Sequence, residues 1–107
     1  MLLEGEKHGE AYAELAELDR QGVRSADLHV QKAQCLLALD REGDAVTELE
    51  SAVSLNPSYA RTYYILGQAY RRLGLRRKAR HAWKQYLEKS RSWRDLQPAG
   101  LGEDGRS

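Results

Sequence analysis

The chain has 107 residues and a net charge of +1, which limits it to one small domain. Its lack of Phe and its many Leu and Ala residues favour helices over sheets. With one cysteine, Cys35, it can form no internal disulfide, and its first residues carry neither a basic stretch nor a long apolar run. We therefore expect a cytoplasmic, all-α protein with no membrane span.

Apolar residues recur along the chain at helical spacing and predict five helices, at about residues 9–21, 25–40, 44–55, 57–73 and 76–92. The same residue types also recur at intervals of 34. Three columns carry this period: Ala11, Ala45 and Ala79; Leu15, Leu49 and Trp83; Leu18, Ala52 and Tyr86. Such self-similarity is the signature of a repeat architecture.

Helix boundaries are marked by turn-forming residues. Asn56 and Pro57 predict that the fourth helix begins at Pro57 with Asn56 as its N-cap. Gly22 lies one period earlier, and both Gly and Asn tolerate the left-handed conformation that ends helices. A break at residues 73–75 predicts a tight turn between the last two helices.

The segment from Tyr63 to Trp83, YYILGQAYRRLGLRRKARHAW, resembles the tetratricopeptide repeat. Tyr63, Leu66, Gly67 and Tyr70 match the aromatic, Leu, Gly and Tyr positions in the first helix of that repeat. Ala79 and Trp83 match the Ala and aromatic positions in its second helix. The preceding repeat has His29, Lys32 and Ala33 at the aromatic, Leu and Gly positions, but it retains Leu36, Ala45, Leu49, Ala52 and Pro57. We interpret His29 as a packed, hydrogen-bonded imidazole and Cys35 as a small buried residue.

The resemblance implies about two and a half repeats of antiparallel helix-turn-helix units, stacked as a short right-handed superhelix. Residues 1–22 would form a partial first repeat with only its second helix, 23–57 the second repeat, 58–92 the third, and 93–107 a disordered tail. Gly67 and Ala79 would lie where the two helices of the third repeat cross. Because repeat arrays generally need three or more units, we expect an incomplete array, belonging to a longer protein or completed by a partner.

The resemblance also implies a non-catalytic scaffold or adaptor that binds another protein. No phosphate-binding loop, metal-ligand spacing or nucleophile–base set is present in the sequence, so we expect no catalytic residue, cofactor or metal. In this family the first helix of each hairpin lines a concave groove that holds a peptide or helix. By register, the partner-binding residues would be Val30, Gln31, Gln34, Arg61, Tyr64, Gln68, Arg71 and Arg72.

Charge is distributed unevenly along the chain. Residues 1–57 contain twelve acidic and five basic residues, whereas residues 58–107 contain twelve basic and four acidic. The ten basic residues of 71–94 are typical of a solvated helix surface, but they would also attract an acidic or mixed peptide, which is the expected partner. Two alternatives are an RNA-associated module acting through the basic last helix, which is the less favoured because no nucleic-acid motif accompanies it, and a self-associating assembly fragment.

Overall fold

The computed structural model describes residues 4–95, with side chains from residue 6 to residue 91. Within this range it contains five helices and no strand, as the sequence predicts. The helices are α1 (Glu4–Arg20), α2 (Ala26–Ala38), α3 (Glu42–Leu55), α4 (Ala60–Arg72) and α5 (Arg76–Asp95). Because α5 continues to Asp95, residues 93–95 are helical and do not belong to the expected tail. The rest of that tail, residues 96–107, lies outside the described residues.

The helices form two layers. Each helix packs against the next along the chain, and α2 also contacts α4 directly. Among residues 4–95, α1 does not contact α3, and α3 does not contact α5. The inner layer is therefore α2 and α4, and the outer layer is α1, α3 and α5. The core lies between the layers and includes the fully buried residues Val30, Ala33, Ala45, Leu49 and Ala69.

The turn inside each complete hairpin has a residue with positive φ at the same position of the 34-residue period. These residues are Asp40, with φ of 60°, and Gly74, with φ of 78°. The residue after Asp40 is Arg41, whose backbone amide donates a hydrogen bond to the carbonyl of Leu36 at 2.8 Å. In the same way, the backbone amide of Leu75, which follows Gly74, donates to the carbonyl of Tyr70 at 2.9 Å. This five-residue backbone link satisfies a carbonyl at the end of the helix and requires the left-handed residue.

The predicted start of α4 is wrong. Asn56 closes α3 instead of capping α4: its backbone φ is −150°, and its amide donates to the carbonyl of Ala52. Its side-chain Oδ1 accepts a hydrogen bond from the amide of Ser58 at 3.1 Å, which stabilises a turn through Pro57. The helix therefore begins three residues later, at Ala60.

The two helices of the last hairpin approach closely at Gly67. A Cβ atom added there would lie within 2.6 Å of three atoms of the Trp83 indole ring. Ala79 on α5 is buried. Gly67 thus occupies the predicted crossing, where it provides the space that the large ring of Trp83 fills.

Candidate functional site

Exposed side chains on α2 and α4 share one side of the molecule, which we call the inner face. On α4, Arg61, Tyr64, Gln68 and Arg71 are exposed at spacings of three and four residues, so they form one stripe. On α2, Gln31 is exposed, and Gln34 is half-buried one turn further on. The inner face therefore presents most of the residues that the sequence predicts for partner binding.

Four of the predicted residues surround one cavity on the inner face. It has a volume of about 350 Å³ and is lined by Gln34, Leu37, Gln68, Arg71 and Arg72. Leu37 is buried and contributes apolar surface, whereas the other four contribute amide and guanidinium groups. The cavity can therefore accept a carboxylate or main-chain carbonyls beside a small apolar contact.

The two arginines of this cavity differ in their partners. Arg72 forms ion pairs with the carboxylates of Asp40, at 2.8 Å, and Glu42, at 2.7 Å. These contacts fix the end of α4 to the turn between α2 and α3. Arg71 forms no ion pair with any described side chain, so its charge remains available to a ligand.

Arg61 and Tyr64 lie nearer to a second opening. Arg61 lines a cavity of about 440 Å³ whose walls include Tyr59 and Tyr86. The ring of Tyr64, which is 43% exposed, lies with its centroid 5.3 Å from that of Tyr86 on α5. The guanidinium group of Arg61 also donates to Oε1 of Gln34 at 3.1 Å, which connects the two cavities.

Hydrogen bonds organise the beginning of the inner face around Asp27. Its carboxylate accepts a hydrogen bond from the hydroxyl of Tyr59 at 2.7 Å and another from the amide of Gln31 at 2.6 Å. The hydrogen bond from Tyr59 holds the pKa of Asp27 below its usual value, and the one from Gln31 adds to this effect. Gln31 is thus held by its own helix and is not part of either cavity.

The prediction that Val30 faces outward is wrong. Val30 is fully buried and belongs to the core cluster that includes Ile65 and Ala69 of α4. By register it corresponds to Tyr64, which is exposed. The difference arises because α4 packs against α2, whereas no described helix packs in the same way against α4.

Comparison with known protein families agrees with this architecture. A model described as "TPR repeat" matches residues 41–74, from α3 to the end of α4, and one described as "Tetratricopeptide repeat" matches residues 60–92, the α4–α5 hairpin. Residues 41–92 therefore belong to the tetratricopeptide repeat family. Tetratricopeptide repeats are, in general, modules for protein–protein interaction. No curated protein and no solved structure matched the chain significantly.

Two residues that depart from the repeat pattern, His29 and Lys32, form an ion-pair network with Asp19 and Glu48 that joins α1, α2 and α3. His29 is 6% exposed, and its Nδ1 donates to Glu48 Oε1 at 2.8 Å. The ammonium group of Lys32, itself 5% exposed, lies 3.0 Å from Asp19 Oδ2 and 3.2 Å from Glu48 Oε2. The packed, hydrogen-bonded reading of His29 is confirmed.

Burial shapes the chemistry of this network and of Cys35. Burial opposes the charge of Lys32, but hydrogen bonds to Asp19 and Glu48 outweigh it and raise the pKa of the ammonium group. The hydrogen bond from Lys32 lowers the pKa of Asp19. Cys35 is buried, as predicted, and burial raises the pKa of its thiol, which disfavours the reactive thiolate.

None of the helices in the described part of the chain combines the length and apolar character needed to span a bilayer. Within the same residues, no group of three or more His, Cys, Asp and Glu side chains is placed to hold a metal ion.

Proposed function

We propose that this tetratricopeptide protein binds an acidic or mixed segment of a partner protein along its inner face, with the main anchor at the cavity between Gln34, Gln68 and Arg71. The observation that carries the proposal is the convergence of these three side chains around one opening, where Arg71 forms no ion pair with any described side chain. An arginine in this setting suits a carboxylate because its planar guanidinium group can donate two parallel hydrogen bonds.

The second opening extends this surface. Tyr64 and Tyr86 provide aromatic surface next to Arg61. A bound segment that runs from the end of α4 toward its start would therefore contact the polar groups of the first cavity and then this aromatic pair. Aromatic and arginine side chains carry much of the binding energy in protein interfaces. The glutamines can pair with the main chain of an extended segment.

Affinity capture from a lysate, followed by mass spectrometry, tests the proposal. The wild-type protein is compared with Arg71→Glu and Tyr64→Ala. Both changes affect exposed side chains, so the fold should be retained. We expect Arg71→Glu to reduce capture of the specific partners by at least about tenfold, because it replaces a charge-assisted contact with repulsion.

Arg80→Glu is the matched control, because Arg80 is also an exposed arginine but lies on α5, outside both inner-face cavities. Equal capture by wild type, Arg71→Glu and Tyr64→Ala would contradict the proposal. Capture abolished by ribonuclease would assign the function to RNA association through α5. A mass that rises with protein concentration in sedimentation, with no other protein bound, would assign it to self-association.

A further inference from the structure

The opposite side of α4 forms the floor of a second groove, which we call the outer groove. It lies between α3 and α5, which do not contact each other among the described residues. Tyr63, Leu66 and Tyr70 of α4 line a cavity of about 600 Å³ there, together with Val53 of α3 and Ala82 of α5. This volume is within the range of about 300–1,000 Å³ in which proteins hold ligands.

The same place one repeat earlier is occupied by the ion-pair network. The positions 34 residues after the network residues carry different side chains: Val53 corresponds to Asp19, Tyr63 to His29, Leu66 to Lys32 and Ala82 to Glu48. In the first interval these four side chains meet across the space between α1 and α3. In the second interval their equivalents are apolar.

The exchange of Glu48 for Ala82 explains why the outer groove stays open. The carboxylate of Glu48 reaches both His29 and Lys32. The methyl group of Ala82 is too short to fill the same space, and among the described residues no ion pair connects α3 with α5 there. The chain thus carries two versions of the same groove, one filled by ion pairs and one lined by apolar side chains.

Charge at the rim indicates what the outer groove accepts. Arg77, Lys78 and His81 of α5 all line it, and the ammonium group of Lys78 lies 5.7 Å from the centroid of the Tyr70 ring. On the α3 side, Glu50 is the acidic group close enough to Tyr70 to help burial raise the pKa of its hydroxyl. Residues 71–94 together contain ten basic residues and one acidic residue. An apolar floor whose α5 edge is basic suits a partner that is apolar in the centre and acidic on the side that faces α5.

We propose that the outer groove is a docking site for an acidic amphipathic helix of a partner protein, distinct from the inner-face site. Such a helix inserts large apolar side chains, spaced at i, i+3 or i+4, and i+7, over Leu66 and Tyr70. Its flanking carboxylates pair with Arg77 and Lys78.

Fluorescence anisotropy with synthetic helical peptides tests this site directly. The probe carries Leu at i, i+4, i+7 and i+11 and Glu at the flanking positions. One control peptide replaces every Glu with Lys, and another moves the Leu residues off the helical stripe. We expect the Glu peptide to bind and both controls to bind at least about tenfold more weakly.

Variants of the protein locate the binding. The double variant Arg77→Glu/Lys78→Glu should weaken binding of the Glu peptide by at least about tenfold, because both exposed charges are reversed. Ala82→Leu should also weaken it by filling the groove. The matched control is Lys84→Glu, on α5 but outside the groove, which should leave binding within about twofold. Arg71→Glu reports separately whether the peptide binds the inner face.

Circular dichroism is used to check that each variant keeps its helix content. If Ala82→Leu loses helix content, the double variant Arg77→Glu/Lys78→Glu, whose changes are at the surface, still tests whether the peptide binds in the outer groove. No binding of the Glu peptide, or equal binding of the Lys peptide, would overturn the proposal. Loss of binding in Arg71→Glu but not in Arg77→Glu/Lys78→Glu would place the peptide on the inner face. If the mass of the protein without peptide rises with concentration, and the double variant Arg77→Glu/Lys78→Glu abolishes this rise, the groove instead binds a second copy of the chain.

Discussion

Among the described glycines, Gly67 leaves the least room for a larger residue. Its position against the indole ring of Trp83 leaves no room for a Cβ atom. We expect Gly67→Ala to lower the free energy of unfolding by about 2–3 kcal/mol, because overpacking outweighs the better helix propensity of Ala. Urea denaturation followed by circular dichroism measures this difference.

Gly43 provides the matched control for that experiment. It also lies inside a helix, α3, but a Cβ atom there would meet nothing within 4 Å. Gly43→Ala should therefore stabilise the protein by up to about 1 kcal/mol. Trp83→Leu should partly rescue Gly67→Ala, since it removes the ring that causes the clash. Similar effects of Ala at both glycines would contradict the close packing of α4 and α5.

Lys32 is the second residue with a large expected effect. Lys32→Met removes the ammonium group and leaves the carboxylate of Glu48, which is 17% exposed, with the hydrogen bond from His29 but without the ammonium group. We expect a loss of about 2–4 kcal/mol in unfolding free energy, because a largely buried carboxylate that loses its ammonium partner is costly. Thermal and urea denaturation measure it.

Replacing the three most buried residues of the network should have a different effect. The triple variant His29→Tyr, Lys32→Leu and Glu48→Ala copies the residues of the third repeat at these positions. Without any buried charge to compensate, it should be as stable as the wild type or more stable. A triple variant less stable than Lys32→Met would show that the ion pairs themselves stabilise the fold.

At the scale of the helices, the turn at Asp40 differs from its counterpart at Gly74 in one property. Both residues are left-handed, but only Asp40 has a side chain, which makes that conformation less favourable. Asp40→Gly should stabilise the protein by about 0.5–1 kcal/mol, since the Asp40 side chain is 84% exposed and its ion pair with Arg72 contributes little.

The reverse change at Gly74 is the control for the turn. Gly74→Asp should destabilise the protein by about 1 kcal/mol, because it places a side chain on a left-handed residue without the Arg72 partner. If Asp40→Gly destabilises by the same amount, the ion pair with Arg72 and not the backbone conformation determines the stability of the turn.

The number and order of the helices could be predicted because one period of 34 residues governs the whole chain. Register predicts exposure poorly, as Val30 and Tyr64 show, because burial depends on which helix packs next. The start of α4 was misplaced because the side chain of Asn56 has two possible roles, and its hydrogen bond to Ser58 favours the turn. The ion-pair network was missed because Asp19, Lys32 and Glu48 stand on three different helices, with no sequence signal that pairs them.

At the scale of the whole molecule, stability should vary along the array. α1 contacts only α2 among the described helices, whereas α2 contacts α1, α3 and α4. None of the described side chains of α1 is buried, Leu18 is 42% exposed, and Asp19 attaches the helix to Lys32. In repeat proteins each unit is stabilised mainly by its neighbours. We therefore expect α1 to open locally, before the rest of the chain unfolds.

Hydrogen exchange measured by mass spectrometry tests this order. Amides of α1 should exchange at least about tenfold faster than those of α2 and α4, whose opening requires disruption of the core. Asp19→Asn should speed exchange in α1 without changing it in α5, because the ion pair to Lys32 connects α1 only to α2. Equal protection of α1 and α4, or an effect of Asp19→Asn that reaches α5, would mean that the five helices unfold as one cooperative unit.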